Sequence, residues 1–126
     1  MVTNPNYLIA AALIASLQRL RDLHPDMTLM QLQSLLLVAR DPGVKQRELI
    51  RSIDTVDSTA SRTIGLLSEH GSRRIHGLNL VRMEVNAGDR RERNCFLTTA
   101  GENLLKDIVQ DFKTVSQSTA LAGAAI

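Results

Sequence analysis

The sequence predicts a mostly α-helical chain with one small β-hairpin, and three observations predict it. Apolar residues recur at helical spacing in several stretches, each bounded by a turn or a capping motif. One short stretch, Leu80–Val85, alternates between apolar and charged residues, as a half-buried strand does. Turn chemistry, Asn86-Ala87-Gly88-Asp89, separates it from a second short stretch, Arg93–Leu97, that offers a return strand.

Composition bounds the rest. At 126 residues the chain is read as a single domain, 1–126, large enough for its own core. One cysteine excludes an internal disulfide framework and fits a reducing compartment. With one Tyr, two Phe and no Trp, modules that stack single-stranded bases on aromatics are disfavoured. No apolar run approaches the roughly 18 residues of a membrane span, so no membrane association is expected. The net charge of +2 is uninformative until it is resolved along the chain. Arg40 to Arg93 holds eleven basic against eight acidic residues, and the remainder holds four against five. The basic excess is central, and ten of its eleven cations are Arg, the side chain suited to phosphate and guanine.

The first helix is expected over 6–23. Ile9, Leu13, Leu17 and Leu20 form one stripe and Leu8, Ala12 and Ala15 a second. Such a helix must bury two faces, one in its own domain and one elsewhere. The run lacks the basic flank of a signal peptide and continues into Gln18-Arg19-Leu20-Arg21-Asp22, so a helix rather than a leader is expected. His24-Pro25-Asp26 breaks it. Thr28 and Gln31 have capping-box spacing, opening a second helix to about Ala39 with Leu29, Leu32, Leu36 and Ala39 in phase. Asp41-Pro42-Gly43 ends that helix. A third helix is expected over Val44–Ser52, with Leu49, Ile50 and Ile53 on one side.

Ile53–Val56 reads as a brief turn, and Asp57 or Ser58 as the cap of a fourth helix burying Ala60, Ile64 and Leu67. Two short helices joined this way make a helix-turn-helix candidate. The open face of the second shows Ser58, Thr59, Ser61, Arg62 and Gly65: short donors and acceptors plus one long fork, suited to the major groove. In the hairpin that follows, Val81, Met83 and Val85 face inward, as do Cys95 and Leu97, and the tip carries Arg90 and Arg91. A basic hairpin beside a helix-turn-helix is a wing, which lies along the DNA backbone or drops an Arg into the minor groove. Thr99-Ala100-Gly101-Glu102 is a second capping box opening the last helix, 99–116, whose apolar face includes Leu104, Leu105, Ile108, Val109, Phe112 and Val115. Residues 117–126 are small and uncharged, a frayed helix end or a flexible tail. The predicted fold is therefore mostly α with a small β-hairpin wing, a winged helix-turn-helix with its core over 28–98, flanked by N- and C-terminal helices (6–23 and 99–116) whose role as dimerisation helices is what the resemblance below implies.

Over about residues 28–115 the chain resembles the multiple-antibiotic-resistance regulator (MarR) family of winged-helix transcription regulators. Ser58-Thr59-Ala60-Ser61-Arg62-Thr63-Ile64 with Leu67 is similar to the family's recognition helix. Leu80-Val81 followed by Asp89-Arg90-Arg91 is similar to its strand and Asp-x-Arg wing, and Leu97-Thr98-Thr99-Ala100-Gly101 to the Leu-Thr-x-x-Gly opening the next helix. The chain departs from the pattern where Ser72–Asn79, with Arg73 and Arg74, stands between Gly71 and Leu80, and where Met83 replaces a family Arg. The flanking helices are also short for the family.

The resemblance implies a homodimer whose first and last helices interlock, with Leu8, Ile9, Leu13, Leu17, Ile108 and Phe112 as its contacts. It implies two recognition helices in successive major grooves of double-stranded DNA, about 34 Å apart on an inverted-repeat operator. Repression by covering a promoter is the expected outcome, in the cytoplasm and at the nucleoid when bound. The candidate DNA contacts are Ser58, Thr59, Ser61 and Arg62 on the recognition helix, and Arg90, Arg91, Arg73 and Arg74 on wing and insert. By resemblance, the Asp89–Arg91 pair shapes the wing. Two alternatives stay open: a winged-helix protein-interaction module (antirepressor or assembly adaptor), and a phage or plasmid accessory DNA-binding protein for replication or partition.

Catalysis is not expected, because no nucleophile elbow or phosphate-cradling Gly loop is present. No cofactor and no metal are expected either, since His24, His70 and His76 lack ligand spacing. Cys95, inward on a wing strand, reads as inert packing. Three aromatics leave little stacking surface for an aromatic effector, so small-molecule control is not indicated.

Overall fold

The computed structural model describes residues 5–68 and 77–124, with side chains over 6–68 and 77–114. Helix α1 spans Pro5–Leu23, α2 Leu29–Arg40, α3 Gln46–Ile53, α4 Asp57–Leu67 and α5 Thr99–Ala124. Strands β1 (Val44–Lys45), β2 (Val81–Val85) and β3 (Arg93–Leu97) form an antiparallel sheet in the order β1-β3-β2. The chain divides into two units, Thr28–Asn103 and Met1–Met27 with Leu104–Ile126.

Within Thr28–Asn103, α2 starts where the capping box places it. The Thr28 hydroxyl accepts from the Gln31 N–H at 3.1 Å, and the Gln31 side chain accepts from the Thr28 N–H at 2.8 Å. The inward face differs from expectation. Leu35, Val38 and Ser34 are buried, whereas Leu29 is 81% and Leu36 42% exposed. A helix carrying Leu29, Leu32, Leu35, Leu36, Leu37 and Val38 is apolar most of the way round, so periodicity cannot choose its stripe. Packing of α2 against α3, α4 and β3 chooses it. Buried Ser34 is satisfied by donating to the Met30 carbonyl at 2.8 Å.

Val44 and Lys45 are not the first turn of a helix. They form β1, with Val44 opposite Cys95 and Lys45 opposite Asn94. Gly43, at φ +88°, turns the chain into this register and donates its N–H to the Cys95 carbonyl at 2.8 Å. Pairing with β3 outweighs the local helical pattern, and α3 begins only at Gln46. Leu49 and Ile53 are buried, and Asp54 closes α3 in the left-handed conformation (φ 45°, ψ 62°) that Asp tolerates.

The N-cap of α4 is Val56, not Asp57 or Ser58, and no side chain caps it. Asp57 instead lies in the first turn, where its charge complements the helix dipole. Ala60, Ile64 and Leu67 are buried as expected, joined by Thr63. At the far end the chain returns onto the helix: Leu78 N–H donates to Leu66 O at 2.7 Å, Asn79 N–H to Ser68 O at 3.2 Å and Leu80 N–H to Leu67 O at 2.8 Å. These bonds satisfy carbonyls that a helix end leaves free. Leu78 and Asn79, read as part of the insertion, thus cap α4.

The hairpin alternates as expected up to its end. Val81 and Cys95 are buried and Arg82 and Glu84 point outward, but Val85 is exposed because β2 has left the core by then. Before α5, Thr98 rather than Thr99 is the capping side chain, its hydroxyl accepting from the Gly101 N–H at 3.0 Å and donating to the Asn79 carbonyl at 2.6 Å. Gly101 is required by a close approach: a Cβ there would lie 2.2 Å from the Leu80 carbonyl oxygen.

In the unit of Met1–Met27 and Leu104–Ile126, Ala12, Ser16 and Leu20 form the buried row of α1. Asp111 of α5 accepts from the Ser16 hydroxyl at 3.0 Å and pairs with Arg19 at 2.9 Å. The Arg19 hydrogen bond holds the Asp111 carboxyl below its ordinary value. Ile9, Leu13, Ile14, Leu17, Val109 and Phe112 are exposed. Among the described residues, no helix is long and apolar enough to cross a membrane.

Candidate nucleic-acid interface

The surface with chemistry to offer lies in the unit Thr28–Asn103 and is built from α3, α4 and the wing. On α4, burial of Ala60, Thr63, Ile64 and Leu67 turns Ser58, Ser61 and Arg62 outward, with Thr59 and Gly65 half-buried at the edge. Arg62 lies back along its own helix. Its Nε donates to the Ser58 carbonyl at 3.3 Å and its guanidinium reaches the Thr59 hydroxyl at 3.5 Å. Both contacts are long and exposed, so releasing the fork costs little.

The wing loop is organised by its own side chains. The Asn86 side-chain oxygen accepts from the N–H groups of Gly88 at 2.7 Å and Asp89 at 3.2 Å. Asp89 accepts from the Arg91 N–H at 3.0 Å, and its carboxylate stands 3.5 Å from the Arg91 guanidinium. Glu92 N–H donates to the Asp89 carbonyl at 3.0 Å, and Asn86 N–H to the Glu92 carbonyl at 3.0 Å. Arg90 is exposed, and the Arg91 side chain is 93% exposed. A shaped loop presenting two unburied guanidiniums suits contact with an anionic surface.

Residues absent from the sequence-based candidates complete the surface. The Glu92 carboxylate stands 2.7 Å from Arg47 and 3.4 Å from Lys45, and is itself 17% exposed. Arg93 donates to the Arg90 carbonyl at 3.0 Å. On the outer face of β2, Arg82 pairs with Glu84 and lies over the Phe96 ring, 4.7 Å from its centre. No local pattern links Lys45 to Glu92; the β1–β3 pairing brings them together. A cleft of about 730 Å³ opens among Lys45, Arg47, Ser61, Arg91 and Glu92. Among the described residues, seven of the ten that line it are charged and Ile50 is the only aliphatic one. That lining suits a charged backbone, not an apolar small molecule.

The remaining candidates lie elsewhere. Arg73 and Arg74 fall outside the described residues. Leu8, Ile9, Leu13, Leu17, Ile108 and Phe112 belong to the other unit, with Leu8 and Ile108 half-buried and the rest exposed. Cys95 is fully buried and desolvation pushes its thiol up to about 11, the state of a packed, unreactive cysteine. No group of three His, Cys, Asp or Glu suited to a metal ion occurs among the described residues.

No protein-family model matches the chain, and no curated protein does. Solved structures do. MarR is 24% identical over 86% of this chain and 77% of its own, with a TM-score of 0.56. MepR of S. aureus, solved as a MepR–DNA complex, is 21% identical over 94% of this chain and 90% of its own, with a TM-score of 0.68. The transcriptional regulator Tm0710 of Thermotoga maritima is 16% identical over 90% of this chain and 72% of its own, also at 0.68. At such identities the likeness is one of architecture: the chain has the winged-helix fold of the MarR-family regulators.

Proposed function

We propose that the protein is a dimeric, sequence-specific regulator of transcription that binds double-stranded DNA and represses by occupying its operator. The observation that carries this reading is the outward row Ser58, Ser61 and Arg62 on α4, set in the same unit as a wing that exposes Arg90 and Arg91. In this reading α4 enters the major groove, with Arg62 as the fork to guanine and Ser58, Thr59 and Ser61 as short-range contacts. The wing meets the backbone or minor groove through Arg90 and Arg91. Arg73 and Arg74 are proposed as further phosphate contacts. The MepR–DNA complex supports the assignment, since the same architecture binds DNA there.

Dimerisation through Leu8, Ile9, Leu13, Leu17, Ile108 and Phe112 is part of the proposal. Its support is the exposed apolar row of Ile9, Leu13 and Leu17 with Phe112, which water disfavours. A two-fold dimer reads an inverted repeat with half-sites about 34 Å apart. The protein would act in the cytoplasm, at the nucleoid. Selection of bound fragments from random-sequence DNA tests the whole reading. Enrichment of an inverted repeat is expected, whereas recovery of no common sequence would refute specific recognition, and a single half-site would refute the dimeric mode.

A further inference from the structure

We infer that Glu92 is a positioning residue for the DNA contacts, one that clamps the arginine-bearing wing loop to the start of α3 and holds Lys45 and Arg47 away from phosphate. The inference rests on the DNA-binding reading and deepens it. Glu92 stands just ahead of β3, where ladder pairing with β1 has ended: the last residue of β3 paired with β1 towards the loop is Asn94, opposite Lys45, while Arg93 pairs only with Val85 of β2. Beyond that point its side chain is the tether to the helix-turn-helix, through Lys45 and Arg47. Its main chain is knotted into the loop, donating to Asp89 and accepting from Asn86. A pull on the Glu92 carboxylate is therefore transmitted to the segment that presents Arg90 and Arg91.

The electrostatics point the same way. Lys45, Arg47, Arg91 and Arg93 contribute four cations to the cleft, against Asp57, Asp89 and Glu92. Glu92 occupies two of those cations at once and is more buried than either, at 17% exposure against 38% and 64%. A carboxylate shared between two cations at the mouth of a DNA-binding surface lowers attraction for any duplex and leaves recognition to the groove contacts. Glu92 thereby favours discrimination over raw affinity.

Glu92→Gln keeps the shape and removes the charge; Glu102→Gln removes the same charge from the first turn of α5 as a control. Amide exchange of the free protein reads the clamp directly. In Glu92→Gln the hydrogen-bonded amides of Asn86, Gly88, Asp89, Arg91 and Glu92 should exchange about ten-fold faster, with Glu102→Gln unchanged. Exchange within about two-fold of wild type would overturn the clamp.

Binding is then measured on a duplex recovered from random DNA by the wild-type protein and on an unrelated duplex of equal length. For Glu92→Gln, the affinity for the unrelated duplex should rise, with a salt dependence steeper by about one to two phosphates. The preference for the selected duplex should fall about ten-fold. Unchanged preference and unchanged salt dependence would overturn the withholding of Lys45 and Arg47. A wild type that recovers no duplex from random DNA refutes the DNA reading itself, and amide exchange still decides the clamp.

Discussion

Gly101→Ala should destabilise the protein although it places the best helix former in a helix. Ala in place of Gly contributes about 1 kcal/mol to helix stability. Against that gain, the added Cβ lies 2.2 Å from the Leu80 carbonyl oxygen, 3.2 Å from its carbon and 3.3 Å from a Leu97 methyl. The obstacle is main chain held from two sides. Leu80 O accepts from Thr98 N–H at 3.0 Å, and Leu80 N–H donates to Leu67 O at 2.8 Å. Relief needs a shift of about 1 Å, which forfeits one of these hydrogen bonds, about 1 kcal/mol, and strains a packed site by about 1–3 kcal/mol. The net expectation is a loss of roughly 1–3 kcal/mol. Urea unfolding followed by far-UV circular dichroism, at fixed protein concentration and 25 °C, reads it as a lower midpoint with an unchanged slope. Ala100→Gly, one exposed residue earlier, should cost at most about 1 kcal/mol. A Gly101→Ala protein as stable as wild type would refute the steric reasoning.

Other consequences are equally open to measurement. Arg62→Ala should cost about 1–3 kcal/mol on the selected operator and relax base preference at one position; an equal loss on unrelated DNA would reassign Arg62 to phosphate. Arg91→Ala should weaken binding to all duplexes alike and lower the salt slope by about one. Arg19 holds Asp111 below its ordinary value of 3.8, so the carboxylate's contribution is fully present above that pH and is lost as pH falls through the lower folded value. Urea midpoints from pH 6 down to pH 2 should therefore fall more steeply in wild type than in Asp111→Asn. With its thiol near 11 and buried, Cys95 should react with a thiol reagent at pH 8 only as fast as the protein unfolds; prompt labelling of the native protein would contradict its placement.

The fold was legible where chemistry is local. The Thr28–Gln31 capping box works within four residues, the break at His24-Pro25-Asp26 needs no partner, and the alternation of Leu80–Val85 declares a strand on its own. Local signals misplaced what depends on a neighbour. A helix with leucine on most sides did not announce which stripe faces inward, and Leu29 and Leu36 proved exposed. Val44-Lys45 reads as helical until β3 offers it a ladder. Thr98 displaced Thr99 as the cap because only Thr98 also reaches the Asn79 carbonyl.

By itself the sequence determined the helix-turn-helix, the hairpin and the polar row Ser58, Ser61 and Arg62, because burying Ala60, Ile64 and Leu67 leaves that row one direction to point. It also supplied the glycine at 101 without its reason. The tertiary structure decided which carbonyl that glycine must clear, and which cations the wing acid answers to. Lys45, Arg47 and Glu92 are ordinary charges along the chain, and they become one ion-pair cluster only because β1 pairs with β3. Coulomb attraction acts over a few ångströms of space whatever the separation in sequence, so a pattern read along the chain has no term for it.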